Sequence, residues 1–380
     1  MKTSLLKFID ADWVETPTPT AKYDFQVTQL ALCFGSKEVI GKNGFYETAK
    51  ARFPNADIVM CSTAGEILND EIYENKAVAA ALNFKNSTTR AISVNIANFS
   101  TSFDAGQQLA KTLTNKDLKY IMVFSDGSLI NGSELVKGIN FKVENQVIVS
   151  GGLAGDGAQF ESTLVGLNKQ PKEGEIVAIG FYGKDLWVSC GSQSGWEPFG
   201  LEKRITKSNK NVLYELEDQN ALEIYKKYLG AEKDNLPSSA LLFPLSIIIP
   251  GSKQAIIRTI LSIDEEEKSM TFAGDMPEGS VVRFMASTHE KLVDAAYKAA
   301  TVSKIEGQIP SFALLVSCIG RKLVMGPKAA DEILAVKKGF HEQTKLLGFY
   351  SYGEIAPFRN ESNCQLHNQT MTITSFFEKN

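Results

Sequence analysis

The sequence predicts an α/β protein of mixed sheets, built from strand–helix–strand units in two related halves with antiparallel meanders inserted. Short apolar runs alternate with amphipathic helical segments, glycine-rich loops directly follow several of those runs, and one strand–helix–strand pattern occurs three times. A chain of 380 residues, 43% of them apolar, is long enough for roughly two to three domains. We therefore expect a folded protein with sizeable cores.

The three similar segments each contain an apolar strand, a turn, a helix, a second apolar strand and a loop of small residues. The spacing from mid-strand to loop glycine is 34 residues from Ala31 to Gly65, 32 from Val123 to Gly155 and 37 from Val316 to Gly353. Such a unit fits a right-handed crossover between parallel strands, and ligands of such sheets bind beyond the carboxyl ends of the strands. We therefore expect the three loops to meet on one rim.

The remaining elements follow from periodicity and turn signals. Helices are predicted near 45–53, 104–113, 133–139, 221–230, 287–300 and 329–338, and strands near 29–34, 57–61, 120–124, 146–150, 212–216, 312–318, 345–349 and 370–376. Strands 77–84 and 90–97 are predicted to form a meander, and strands 175–182 and 186–192 a hairpin around Gly183. Polar residues near 200–212 divide the chain into a lead-in (1–26), an N-terminal domain (27–205) and a C-terminal domain (206–380).

Composition excludes several classes of function. A net charge of −4 argues against a nucleic-acid partner or a polybasic membrane-binding surface. The most apolar stretch, 241–250, is too short to span a membrane and contains two prolines, and residues 1–10 lack the apolar core of a signal peptide. Five dispersed cysteines without a C-x-x-C motif are typical of a reducing compartment. We therefore expect a cytoplasmic protein.

The loop motifs resemble those of the FIST family, in the expected order from about residue 27 to 376. Cys61–Ile67, Gly151–Gly157 and Gly195–Gly200 resemble its N-terminal domain, and Asn211–Leu216, Cys318–Arg321, Gly348–Ile355 and Leu366–Thr370 resemble its C-terminal domain. The resemblance implies a cytoplasmic sensory module that binds a small ligand, with amino acids and similar metabolites as the ligand class. It further implies that a signalling protein, such as a histidine kinase, receives the signal.

Residues with suitable chemistry cluster in these loops. Hydroxyls, carboxylates, glycines, tyrosines and a guanidinium can bind the charged ends of a small zwitterion, and glycine lets the backbone approach a ligand closely. The predicted ligand-binding residues are Ser62, Thr63, Glu66, Asp126, Gly151, Gly152, Asp156, Arg321, Tyr350, Tyr352, Glu354, His367 and Asn368.

Two alternatives remain open. In the first, His367 is the axial ligand of haem, because some proteins that this chain resembles are haem-binding nitric-oxide sensors that regulate histidine kinases. In the second, the protein is a thiol or serine hydrolase that uses Cys318 or Ser62 with His367, although no G-x-S-x-G elbow is present. The main reading expects no catalytic residues, no metal and no cofactor.

Overall fold

The computed structural model describes residues 1–16, 23–143, 147–236, 238–252, 254–357 and 363–379. They form a mixed α/β fold with three six-stranded mixed sheets and a fourth, antiparallel sheet. This confirms the predicted fold class. None of the helices in these ranges is long and apolar enough to cross a membrane.

Each of the first three sheets combines strands that are distant in the chain. In spatial order, the first sheet contains Val165–Leu167, Asp57–Ser62, Leu30–Gly35, Ala77–Asn83, Lys2–Ile9 and Asp12–Glu15. The second contains Cys364–His367, Gly353–Pro357, Ile148–Leu153, Leu118–Ser125, Glu175–Tyr182 and Thr88–Asn95. The third contains Glu71–Tyr73, Glu66–Leu68, Lys345–Ser351, Phe312–Cys318, Met371–Glu378 and Leu186–Gln193.

The fourth sheet, which we call the inserted sheet, lies in the chain between the strand Leu186–Gln193 and the helix that begins at His289. It contains Ala255–Arg258, Leu245–Ile248, Val281–Ala286, Glu197–Asn209, Val212–Leu216, Ser269–Phe272 and Ile260–Asp264, with Gln219–Asn220 paired to Val212–Leu216. The α-helices are Lys37–Ile40, Phe45–Arg52, Ser102–Leu113, Gly132–Asn140, Ala221–Leu229, His289–Val302, Ile319–Met325 and Ala330–Gly339. Short 3₁₀ turns are Phe25–Val27, Ile96–Asn98, Gly230–Asn235, Ser238–Leu242 and Gly326–Lys328.

The three similar sequence segments form three similar sheets, so the predicted repeat is confirmed. Each sheet has a central parallel pair joined by a helical crossover. The pairs are Leu30–Gly35 with Asp57–Ser62, Leu118–Ser125 with Ile148–Leu153, and Phe312–Cys318 with Lys345–Ser351. An antiparallel strand borders each first strand on its other side. The three sheets enclose a shared core in which the rings of Phe34, Phe124 and Phe349 contact one another at 4.7–5.9 Å.

The strand that follows each glycine loop leaves its own sheet and joins a neighbouring one. Glu66–Leu68 pairs antiparallel with Lys345–Ser351 of the third sheet. Gly353–Pro357 pairs with Ile148–Leu153 of the second sheet, and Val165–Leu167 pairs with Asp57–Ser62 of the first. This cyclic exchange means that each of the two predicted domains lends strands to a sheet of the other.

The predicted hairpin and meander are wrong in their pairing. Glu175–Tyr182 pairs within the second sheet and Leu186–Gln193 within the third. Ala77–Asn83 and Thr88–Asn95 are likewise split between the first and second sheets. The short linkers carry the chain from one sheet to the next instead of folding it back. Local turn chemistry, including Gly183 at φ +131°, is compatible with both paths.

Candidate functional site

The three glycine loops meet, as the sequence predicts. The Ala64 N–H donates to the Tyr350 carbonyl and the Tyr350 N–H to the Gly65 carbonyl, both at 2.8 Å. The Gly155 N–H donates to the Ser62 carbonyl at 3.0 Å, joining the second loop to the first. Backbone hydrogen bonds thus fix the loops to one another. Each pair of neighbouring repeats meets at a junction beside these loops. The three junctions are equivalent in position, but they differ in size and in the side chains that line or fill them.

We call the junction between the second and third repeats the open cleft, which has a volume of about 400 Å³. It is lined by 127–132, Leu153, Phe160, Glu161, Asn211, Leu261, 272–274 and Tyr352. It lies beyond the carboxyl ends of Leu118–Ser125 and Ile148–Leu153, and the inserted sheet forms its opposite wall. This is where ligands of parallel α/β sheets bind.

Asp126 shapes one wall of the open cleft from within the protein. Its fully buried carboxylate accepts the Ser128 and Leu129 N–H groups at 2.7 Å and the Gly174 N–H at 2.9 Å. These bonds fix the loop that precedes the helix Gly132–Asn140. As a result Leu129 stands with 58% of its surface exposed at the cleft.

Asp156 fixes the aromatic wall. Its carboxylate accepts the N–H groups of Phe160, Glu161 and Ser162 at 2.9–3.0 Å and the hydroxyl of Tyr352. The Phe160 and Tyr352 rings stack with centroids 4.6 Å apart and planes at 20°. Phe160 has φ +56°, a left-handed conformation that is unusual for a bulky residue. The loop therefore holds Phe160 in an unusual backbone conformation, with 43% of the residue exposed at the cleft.

A polar cluster holds the inserted sheet against the second sheet beside this cleft. The buried Arg258 guanidinium donates to the Leu366 carbonyl at 2.9 Å and to the Asp275 carbonyl at 3.3 Å. The Asp275 carboxylate accepts from Asn131 at 3.0 Å and Lys137 at 2.9 Å. Burial lowers the pKa of Arg258 to about 10. Although burial opposes it, hydrogen bonds from Asn131 and Lys137 lower the pKa of Asp275.

The junction between the first and second repeats is a smaller, acid-lined cleft of about 100 Å³. Thr63, Glu66 and Asp156 line it, together with Glu38 and Glu74. The Thr63 hydroxyl donates to Glu66 at 2.6 Å. Burial raises the pKa of the Glu66 carboxyl to about 8. This places three predicted site residues around a second, polar hollow that is separate from the open cleft.

We call the junction between the third and first repeats the filled cleft, because protein side chains occupy it. The Lys322 ammonium donates to the Ala64 carbonyl at 2.7 Å and pairs with Glu74. The buried Arg321 guanidinium pairs with Glu332 at 2.8 Å, and the Tyr350 hydroxyl donates to Glu332 at 2.9 Å. The polar groups predicted here for a ligand are thus bound to one another.

The remaining predicted residues are buried in the surrounding structure. Ser62 Oγ accepts the Leu164 N–H at 2.9 Å, and Glu354 accepts from Ser351 and Thr370 while burial raises its pKa to about 8. The Asn368 amide is buried without a hydrogen-bond partner among the described residues.

Gly151 and Gly152 have a packing reason for lacking a side chain. A Cβ on Gly151 would lie 1.9 Å from the Val123 carbonyl oxygen, and one on Gly152 would lie 2.6 Å from the Val316 side chain. Both glycines allow close approach of neighbouring strands, and neither lines one of the three junctions described above.

His367 and Cys318 lie in surroundings that do not fit the two alternative chemistries. The buried His367 ring faces the Ala356 carbonyl at 3.1 Å through Nε2, and burial lowers its pKa to about 4. An axial haem ligand needs that nitrogen facing a large apolar cavity. Burial raises the pKa of the Cys318 thiol, whereas a thiolate nucleophile needs a lowered pKa.

Sequence reasoning missed the apolar walls of the open cleft. Phe160 is a lone aromatic residue within the polar stretch 156–163, which is a usable signal. Leu129, together with Ile130, interrupts a run of small and polar residues. Leu261 and Phe272 belong to ordinary strands of the inserted sheet, and their approach to the second sheet depends on tertiary packing alone.

Three α/β repeats, a cleft between two of them and an inserted sheet define the fold of this protein. The chain belongs to the FIST family: the FIST N domain matches residues 29–219 and the FIST C domain matches residues 221–357. FIST domains are associated with sensory and signalling small-ligand binding.

A search of curated proteins finds no match. Among solved structures, the chain is similar to a chorismatase crystal structure determined at 1.08 Å. That similarity has 9% sequence identity and a TM-score of 0.33, and it covers 95% of this chain and 96% of the other.

Proposed function

We propose that this protein binds a small metabolite of the amino-acid type in the open cleft and reports its presence to a signalling protein. The observation that carries this proposal is the composition of the cleft walls. Residues 127–132, Phe160 and Asn211 come from the FIST N match, and Leu261, 272–274 and Tyr352 come from the FIST C match. A ligand there would contact both parts of the family match at once.

The size and chemistry of the cleft support a small organic ligand. A volume of about 400 Å³ lies within the usual range for metabolite sites. Aromatic and aliphatic side chains provide the walls, and Glu161 and the Asn211 amide provide polar groups at the edges. An apolar centre with a few polar groups suits an amino acid or a related metabolite better than a bare ion.

The inserted sheet offers a route for the signal. It forms one wall of the cleft and is joined to the second sheet there by the cluster of Arg258, Asp275, Asn131 and Lys137. Ligand binding that favours one position of this sheet would shift the population between two arrangements. A histidine kinase or another regulator that contacts the sheet would then detect the change. A cytoplasmic location remains part of this proposal.

The test is a thermal-shift screen of the purified protein against the amino acids and their simple derivatives. We expect at least one compound to raise Tm in a concentration-dependent way. Leu261→Trp, which places a large side chain in the cleft, should abolish that shift. Leu334→Trp is the matched control, because Leu334 is equally exposed (43% against 44%) on the helix Ala330–Gly339.

A shift that survives in Leu261→Trp would move the site elsewhere, and no shift with any compound would contradict the proposal. The absorption spectrum of the same preparation decides the haem alternative. A Soret band that is lost in His367→Ala would replace the proposal with a gas sensor.

A further inference from the structure

The exposed apolar residues of the open cleft indicate the chemical class of its ligand more specifically than the volume of the cleft does. Leu129, Phe160 and Leu261 are 58%, 43% and 44% exposed, and all three line the cleft. They come from three separate segments: the loop after Leu118–Ser125, the loop after Ile148–Leu153, and the inserted sheet. Exposed apolar groups that converge from separate segments mark a site for an apolar partner.

The aromatic wall is held in place before any ligand arrives. The Phe160 backbone has φ +56°, and the N–H groups of residues 160–162 all donate to the Asp156 carboxylate. The Tyr352 hydroxyl is bound to the same carboxylate, so the stacked pair has one common anchor. Strain kept at a particular position is typical of functional sites, because the surrounding bonds must maintain it.

The hydroxyl group of the stacked pair already has its hydrogen-bond partners. Tyr352 donates its hydroxyl to Asp156 and accepts from the Asp156 and Phe160 N–H groups at 3.2 and 3.1 Å. This wall therefore presents the faces and edges of aromatic rings to a ligand. It offers no free hydroxyl group. Rings of this kind bind other rings by offset stacking or edge-to-face contact.

We propose that the ligand carries an aromatic ring, which packs against the Phe160 ring between Leu129 and Leu261. This inference rests on the proposed function and narrows its ligand class to aromatic amino acids or similar ring-bearing metabolites. Asp156 is a positioning residue for this contact, because it acts through the Phe160 loop.

The experiment distinguishes an effect of the aromatic ring from an effect of apolar size alone. Isothermal titration and ligand-observed NMR compare three aromatic probes with their saturated counterparts: L-phenylalanine with L-cyclohexylalanine, benzylammonium with cyclohexylmethylammonium, and benzoate with cyclohexanecarboxylate. The three pairs have different charges, so an unknown polar head group does not decide the outcome. Stacking is worth about a two- to twelve-fold gain in affinity.

We expect at least one aromatic probe to bind at least two-fold more tightly than its saturated partner. Phe160→Leu should remove this preference while keeping apolar bulk in the wall. Phe141→Leu is the matched control, because Phe141 is a 66% exposed phenylalanine that does not line the cleft. It should keep the full preference.

Equal or tighter binding of the saturated probes would overturn the inference and leave the proposed function standing, with an aliphatic ligand. A preference that survives in Phe160→Leu would also overturn it. If none of the six probes binds, the inference is wrong, and the amino-acid screen with Leu261→Trp still judges the proposed function separately.

Discussion

The open cleft and the filled cleft occupy equivalent places in two repeats of one chain, yet they differ in what they contain. At the filled cleft, Lys322 donates to the Ala64 carbonyl and pairs with Glu74, and Arg321 pairs with Glu332. At the open cleft, the carboxylates of Asp126 and Asp156 are satisfied by backbone N–H groups behind the walls. Apolar side chains are left facing solvent. The same framework thus produces a stabilising junction in one place and a binding surface in another.

The comparison predicts that polar changes at the filled cleft alter stability, whereas those at the open cleft also alter binding. The largest effect is expected for Arg321→Met, which leaves the fully buried Glu332 carboxylate without its cation. Removing one partner of a buried pair costs about 3–5 kcal/mol. Urea unfolding measures this loss.

Lys298→Met is the control for that experiment, because it removes an exposed pair with Asp294 that contributes less than about 1 kcal/mol. Binding by folded Arg321→Met should equal that of the wild type. A stability loss no larger than the control's would show that the filled cleft is not a stabilising junction.

Asp156→Asn is expected to affect both properties. The Asp156 carboxylate accepts hydrogen bonds from three backbone N–H groups and one hydroxyl, and the substitution removes its charge. We expect the free energy of unfolding to fall by about 2–3 kcal/mol. Ligand affinity should fall at least about tenfold, because the Phe160 ring loses its anchor. Calorimetric titration and urea unfolding give the two values. Asp294→Asn on an exposed helix face should change neither, and unchanged ligand affinity in Asp156→Asn would contradict the role given to this carboxylate.

The acid-lined cleft gives a prediction about pH. Glu66 has a folded-state pKa of about 8 against an ordinary value of 4.5. Between these values the folded state holds one proton more than the unfolded state, so stability falls as pH rises, by up to about 1.4 kcal/mol per unit. From pH 6.5 to 8 the wild type should therefore lose about 1.6 kcal/mol relative to Glu66→Gln.

His367, whose pKa burial lowers to about 4, titrates in the same way in wild type and variant, so its contribution to the difference in stability cancels. Glu354 titrates in wild type and variant alike, so its contribution cancels in the difference. Glu38→Gln, an exposed acid of the same cleft, should follow the wild type. Parallel stability curves for wild type and Glu66→Gln would show that Glu66 is not held protonated.

The smallest effect is expected for Lys322→Ala, which would empty part of the filled cleft. Glu74 is largely exposed and can be solvated, so the loss should be about 1 kcal/mol, from the Ala64 carbonyl hydrogen bond. Ethylammonium at millimolar concentration should restore part of that loss in the variant. It should have no effect on the wild type or on Lys111→Ala, and a similar effect on all three proteins would show that the junction is not a latent cleft.

The sequence was sufficient to predict the mixed α/β class, the threefold recurrence and the meeting of the glycine loops. These depend on local patterns: apolar strands such as Tyr120–Phe124, crossover helices, and glycines placed directly after strands. The pairing of Glu175–Tyr182 could not be predicted from the sequence. Its residues are buried on both faces of the strand, so no alternation of polar and apolar residues indicates which strand it pairs with. The exchange of Glu66–Leu68 into the third sheet is likewise a long-range event with no local signal.

The candidate site was only partly predictable for the same reason. Chemistry-bearing residues such as Arg321 and Tyr350 stood out in the sequence, yet their partner Glu332 lies on a separate helix. The walls of the open cleft are made by ordinary apolar residues, and only tertiary structure shows that Leu129 and Leu261 face the same space. Residue type therefore identified the rim, and packing decided which part of it remains open.

The most direct test of the whole account is amide hydrogen exchange, followed by mass spectrometry, with and without the compound that gives the largest thermal shift. We predict protection concentrated in peptides covering 126–132, 158–162 and 272–274, three of the segments that line the open cleft. Peptides covering 319–325 of the filled cleft should be unchanged. Protection centred on 319–325, or spread evenly over the chain, would contradict the claim that the open cleft is the ligand site.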